Sequence, residues 1–216
     1  MKKNKKIMGL GIILTGALTV GVITSFAIDP LTSQMTTIKM NKEINNKAAE
    51  EVLVEVGSSK ITSIEFLNNK EQNSITPSNL SDSEILEHMV KEELFLQLAE
   101  KEGVSAALEE GIKEAQKNRK ILSQQPREIQ DTHKKLIKEA GVTEEEHWEK
   151  IAPPEYQNML SKQNLAAKIR DEAASAQKLN NDEDAVIYLK EFKDDLLKTA
   201  ISDGTVKVVS KNINLE

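Results

Sequence analysis

The sequence predicts a mainly α fold: one helical domain with a short β pair joining its start to its end. Three observations carry this. Apolar residues recur at helical spacing through the middle of the chain, as in Leu86, Val90, Leu94 and Leu98. Capping boxes and glycines punctuate that stretch. Runs rich in β-branched residues stand at its two ends, at Val52 to Val56 and Thr205 to Val209. Each run is too short to be stable alone, so their simplest use is to pair with each other.

The elements follow in order. Lys2, Lys3, Lys5 and Lys6 precede an uncharged stretch from Ile7 to Ile28. This is the pattern of a secretory signal, with Ser25-Phe26-Ala27 offering a cleavage site, and it is also long enough to span a bilayer. Residues 1–28 are therefore read as a signal peptide or N-terminal membrane anchor. Either outcome leaves the lysines inside and places the remainder outside the cytoplasm, secreted or anchored to the cell membrane. Residues 29–50 are polar and read as a spacer, and residues 51–210 as the helical domain.

After the first strand, Gly57-Ser58-Ser59 reads as a turn. Thr62-Ser63-Ile64-Glu65 and Ser81-Asp82-Ser83-Glu84 read as capping boxes, with a loop through Pro77 between their helices. The second box opens a central helix whose wide apolar stripe adds Ile85, Met89, Phe95, Leu96 and Ala99. Gly103 stops it, and Ser105 is expected to cap a helix with Leu108, Ile112, Ala115 and Leu122 on one face. Pro126 precedes a helix carrying Ile129, Leu136 and Ile137. Gly141 ends that helix and Thr143 opens the next, with Glu146 completing a third capping box, so Glu100 to Ser105 and Lys138 to Thr143 share one turn chemistry. Trp148 and Ile151 precede Pro153-Pro154, and a long helix runs on to about Lys178. Asn180-Asn181-Asp182 breaks the chain before a last helix with Ala185, Leu189, Phe192 and Leu196 on one face.

Composition excludes much chemistry. The 216 residues include no Cys, three His and nine Gly. That removes disulfides, thiolate metal sites and cysteine nucleophiles, and disfavours glycine-rich phosphate loops. No cofactor is expected. Residues 1–27 hold four of the 29 basic residues and none of the 35 acidic ones, so the remainder carries net −10. So acidic a domain is a poor partner for nucleic acid or anionic lipid. The Lys-, Asn- and Ile-rich composition fits a low-GC Gram-positive bacterium.

Glu84 with His88 and Glu144 with His147 have the spacing of ligand pairs on a helix, but spacing places no third ligand, and solvated faces are expected instead. There is no Gly-x-Ser-x-Gly elbow. Glu92-Glu93 lies within the central apolar stripe and reads as exposed edge positions. No catalytic residue is expected. Trp148, Tyr156 and Met159 lie around Pro153-Pro154, where they would line an apolar groove accepting non-native chains. Met89 is the fourth candidate for polypeptide binding. Packing in the core is the favoured reading for all four, and the groove the alternative.

Val52-Leu-Val-Glu-Val-Gly-Ser-Ser-Lys-Ile-Thr62 with Ile64-Glu-Phe66, the segment Ile85 to Val104, and the ending Tyr188-Leu-Lys-Glu-Phe192 with Thr205-Val-Lys-Val-Val209 resemble SurA/PrsA-type extracytoplasmic chaperones. The resemblance covers about residues 50–210. It implies a SurA N-terminal-like helical chaperone domain that holds unfolded or secreted polypeptides. Two departures limit it. There is no Cys to lipidate, so the N-terminal apolar segment is the only visible membrane link. Nothing between Gly103 and Gly204 resembles the parvulin isomerase domain that the family commonly inserts, so isomerase activity is not implied. A membrane-tethered adaptor with one dedicated partner is the alternative on the same fold.

Overall fold

The computed structural model describes residues 51–75, 80–139, 141–210 and residue 215. The expected leader and spacer, and most of the loop through Pro77, lie outside the described residues. Among the described residues no helix is long and apolar enough to cross a membrane.

The protein is mainly helical with a small antiparallel sheet. The sheet has three strands rather than two: β1 (Val52–Val56), β2 (Ser59–Thr62) and β3 (Val206–Val208), in the order β2-β1-β3. The expected pairing of the two ends is present, with Val54 opposite Val208 and Val56 opposite Val206. The extra strand escaped the sequence reading because Ser59-Lys60-Ile61-Thr62 buries only Ile61, too little alternation to show a period. A hairpin forms there because Gly57 adopts φ +56°, a left-handed conformation that glycine takes without penalty. The β1–β2 register slips between Val52 and Val54. Such an irregularity lets Leu53 and Val54, neighbours in sequence, both be buried.

Seven α-helices are described: α1 (Ser63–Ile75), α2 (Asp82–Lys101), α3 (Leu108–Ser123), α4 (Arg127–Glu139), the single turn α5 (Glu144–Glu146), α6 (Ala152–Ser175) and α7 (Asp182–Ser202). A π-helical turn, His147–Ile151, joins α5 to α6. Two of the three expected capping boxes are formed, and at the third the structure gives only the Glu146 N–H bond to the Thr143 hydroxyl. The Ser81 hydroxyl accepts from the Glu84 N–H, and Glu84 accepts from the Ser81 N–H at 2.7 Å. Thr62 and Glu65 do the same at 3.3 and 2.8 Å. Asn181 caps α7.

The two similar turns share their geometry. Gly103 and Gly141 both have positive φ, and in each the following valine N–H reaches back to a carbonyl five residues earlier. This is the Schellman arrangement. The turns then diverge. Thr143 caps α5 directly, whereas the N-cap of α3 is Ala107 rather than Ser105; it offers no side-chain cap, and its N–H donates to Glu110. The reason is that Ala106 is pulled onto α6, where its N–H donates to the Ser161 hydroxyl at 2.9 Å. The start of α3 is displaced by two residues.

α2 lies at the centre. One part of it, with Leu86, Val90 and Leu94, packs on the sheet and on Leu197 and Ala200 of α7. Its C-terminal part, with Phe95 and Ala99, packs on Leu165, Ala166 and Ile169 of α6. The packed face of α3 keeps Ala115 and Leu122 of the expected four residues but not Leu108 and Ile112. Gly111 and Ala115 are buried and Leu122 is half-buried, while Leu108 and Ile112 stay 46% and 37% exposed. A Cβ on Gly111 would stand 2.3 Å from the Pro153 carbonyl oxygen. Backbone proximity to α6, not side-chain hydrophobicity, chooses the face.

Candidate functional site

Three of the four candidate residues are brought together. Trp148 (6% exposed), Tyr156 (7%) and half-buried Met159 pack with Ala115, Leu122 and Ala152 where α3 meets the π turn and α6. Met89 does not join them; it packs, half-buried, against the core beside the sheet. The aromatic pair thus lies inside the domain rather than lining an open groove.

The π turn explains how Trp148 gets there. Pro153 and Pro154 carry no N–H, and their rings crowd the carbonyls one turn back. The helix accommodates both by widening for one turn, with the Ala152 N–H bonded to the His147 carbonyl. Pro153 and Pro154 fall in the first turn of α6. The added residue in the turn places His147 and Trp148, adjacent in sequence, both on the buried side.

The histidines correct the sequence reading most. His133 on α4 and His147 are 4% and 1% exposed, not on solvated faces. The His133 ring stacks on Trp148, with centroids 5.4 Å apart and planes at 19°. His147 meets both edge-on, 5.3 Å from His133 and 4.8 Å from Trp148. Each imidazole has a buried Nε2 with no hydrogen-bond partner among the described residues. Burial pushes both pKa values down to about 4, and for His133 the neighbouring His147 adds to the effect. Both rings are therefore neutral at neutral pH. Sequence spacing could not pair His133 with His147, because they belong to different elements; the aromatic at 148 was the only visible hint.

A second polar cluster lies where α2 faces α6 and α7. Glu92 accepts from Lys162 and Lys193, each at 2.6 Å. It is not the exposed edge position that the sequence suggests. Burial alone would raise its pKa, but Lys162 and Lys193, with His88 beside them, hold it at about 2. The Lys193 ammonium also lies 4.5 Å from the Phe95 ring centroid, in cation–π contact. Lys91, one position away, bonds Glu87 and Asp194. A carboxylate so firmly ionised and doubly engaged is a brace, not a general acid.

A third polar feature ties the α2–α3 turn to α6. Gln157, Ser161, Asn164 and Lys168, at helical spacing, contact Ala106, Val104 and Glu102 in succession. Among the described residues no group of three or more His, Asp or Glu side chains is placed to hold a metal ion. With the geometry in hand, comparison with known proteins adds nothing: no family model, no curated protein and no solved structure matches the chain.

Proposed function

We propose that this is an exported, membrane-proximal, chaperone-like protein that binds unfolded or secreted polypeptides and lacks isomerase activity. The supporting observation is a coincidence of pattern and pairing. The segments resembling the opening and closing strands of SurA/PrsA-type chaperones are those that pair as β1 and β3. Apolar surface for a client is available on α3, where Leu108 and Ile112 flank the face that lies on the Trp148 cluster. The test is suppression of aggregation of an unrelated, chemically unfolded protein at equimolar concentration, with no change in a proline-limited refolding rate. Suppression is the expected result.

The second reading is a tethered adaptor with one dedicated partner. The burial of Trp148 and Tyr156 favours it, because promiscuous holding needs accessible aromatic surface. Failure to suppress aggregation, together with capture of a single stable partner, would replace the first reading by this one. Sequencing the mature N-terminus in secreted and membrane fractions shows whether the protein works free or anchored.

A further inference from the structure

We propose that His133 and His147 form an acid-sensitive latch, whose protonation releases α4 and uncovers apolar surface at Trp148. As a control on client binding, this rests on the chaperone reading; as a property of the fold, it does not. α4 has a narrow docked face. His133 and Ile137 are buried, while Asp131, Lys134, Lys135 and Lys138 are exposed. Ile129 and Gln130 are half-buried on the same helix, and the buried imidazole stacks on Trp148 and is set against a second imidazole.

Among the described residues, no carboxylate is placed to balance a positive charge there. Glu144, Glu145 and Glu146 of α5, Glu149 and Lys150 of the π turn, and Glu155 of α6 are exposed. Glu114 of α3 is engaged by Lys117 and Asn118. Tyr156 of α6 is buried in the same cluster. An imidazolium formed in the closed state would be desolvated, and two would repel across 5.3 Å. Opening hydrates both rings and restores their ordinary affinity for protons.

The size of the bias follows from linkage. With closed-state values of about 4 against the ordinary 6.5, each imidazole favours the open state by about 30-fold at pH 5, and the two act in the same direction. Above pH 6.5 the bias vanishes and the closed state stands on its packing alone.

Trp148 is the only tryptophan in the chain, so its emission reports the latch directly. Emission of the full chain would be titrated from pH 7.5 to 4.5 alongside far-UV circular dichroism and amide exchange. The expected result is a shift in Trp148 emission beginning below pH 6.5, with faster exchange confined to α4 and residues 144–151 while α2 and α7 stay protected. His133→Gln and His147→Gln should each reduce the steepness from two protons towards one. An emission change that tracks loss of protection in α2 and α7 would overturn the latch, as would a pH profile unaltered in both variants. Aggregation suppression at pH 5 and pH 7.5 separates the two proposals. A Trp148 transition without client capture supports the latch and counts against the chaperone reading. Capture whose pH dependence is the same in both variants counts against the latch.

Discussion

The sheet end and the tryptophan end of the domain bury their side chains by different means. At the sheet, Val54, Val56, Leu86 and Val90 are fully buried aliphatics. At the tryptophan end, the interior holds Gly111, Ala115, two imidazoles and two aromatic rings with polar tips. An aliphatic core is indifferent to pH and tolerant of small rearrangement. A core of imidazoles and closely approached backbones responds to pH and has no spare volume. The difference suggests that stability is concentrated at one end and responsiveness at the other.

The largest effect expected is on α2, which links the aliphatic sheet end to α6. Phe95 is 1% exposed, lies edge-on to Phe192 at 6.5 Å and supports Lys193. Phe95→Ala should cost about 3–5 kcal/mol in urea unfolding. An effect below about 1 kcal/mol would show that α2 is not the organising helix.

Acid comes next and separates the ends. His133 and His147 have depressed folded-state values, so their contribution is complete above pH 6.5 and is lost as pH falls towards 4. The slope is up to about 1.4 kcal/mol per pH unit for each ring. Glu92 is likewise depressed, to about 2, but from the carboxylate value of 4.5. Its contribution holds above pH 4.5 and is lost only below it. Urea midpoints measured from pH 7.5 to 3 should therefore show two regimes, with the imidazoles acting first.

Gly111→Ala is a test of sign. Helix propensity alone would favour alanine by about 1 kcal/mol. The Pro153 carbonyl 2.3 Å from the new Cβ should reverse this, for a net loss of about 1–3 kcal/mol in thermal unfolding. Ser161→Ala is the smallest change. It leaves the buried Ala106 N–H without its acceptor and should cost about 1–2 kcal/mol, with faster exchange at that amide as the specific sign.

What could be read from sequence follows the same division. Leu86, Val90, Leu94 and Leu98 declare a helix because aliphatic burial has a period. Ser81 with Glu84 declares its start because capping is local in sequence. The β1–β3 pair was legible despite its sequence separation, since two short strands leave few alternatives. The tryptophan end was not legible in this way. The contacts of His133 with His147 join different helices, and no spacing rule connects them. Leu108 and Ile112 misled because apolarity was taken to mark the buried face of α3. There the deciding quantity is how closely two backbones approach, and Gly111 records it by what it lacks. Glu92 misled for the matching reason, since Lys162 and Lys193 lie far along the chain.

The β1–β3 pair also governs how the domain would bear a pull. The strands are antiparallel, with Val54 opposite Val208, so the chain enters β1 and leaves β3 at the same end of the pair. Tension applied between the domain's two ends therefore opens the ladder one rung at a time, like a zip, because inter-strand bonds lie across the strands. A shear arrangement would load every rung together. Were one end held and the other drawn by a bound chain, these strands would part at low force, leaving the interlocked helices to carry the load.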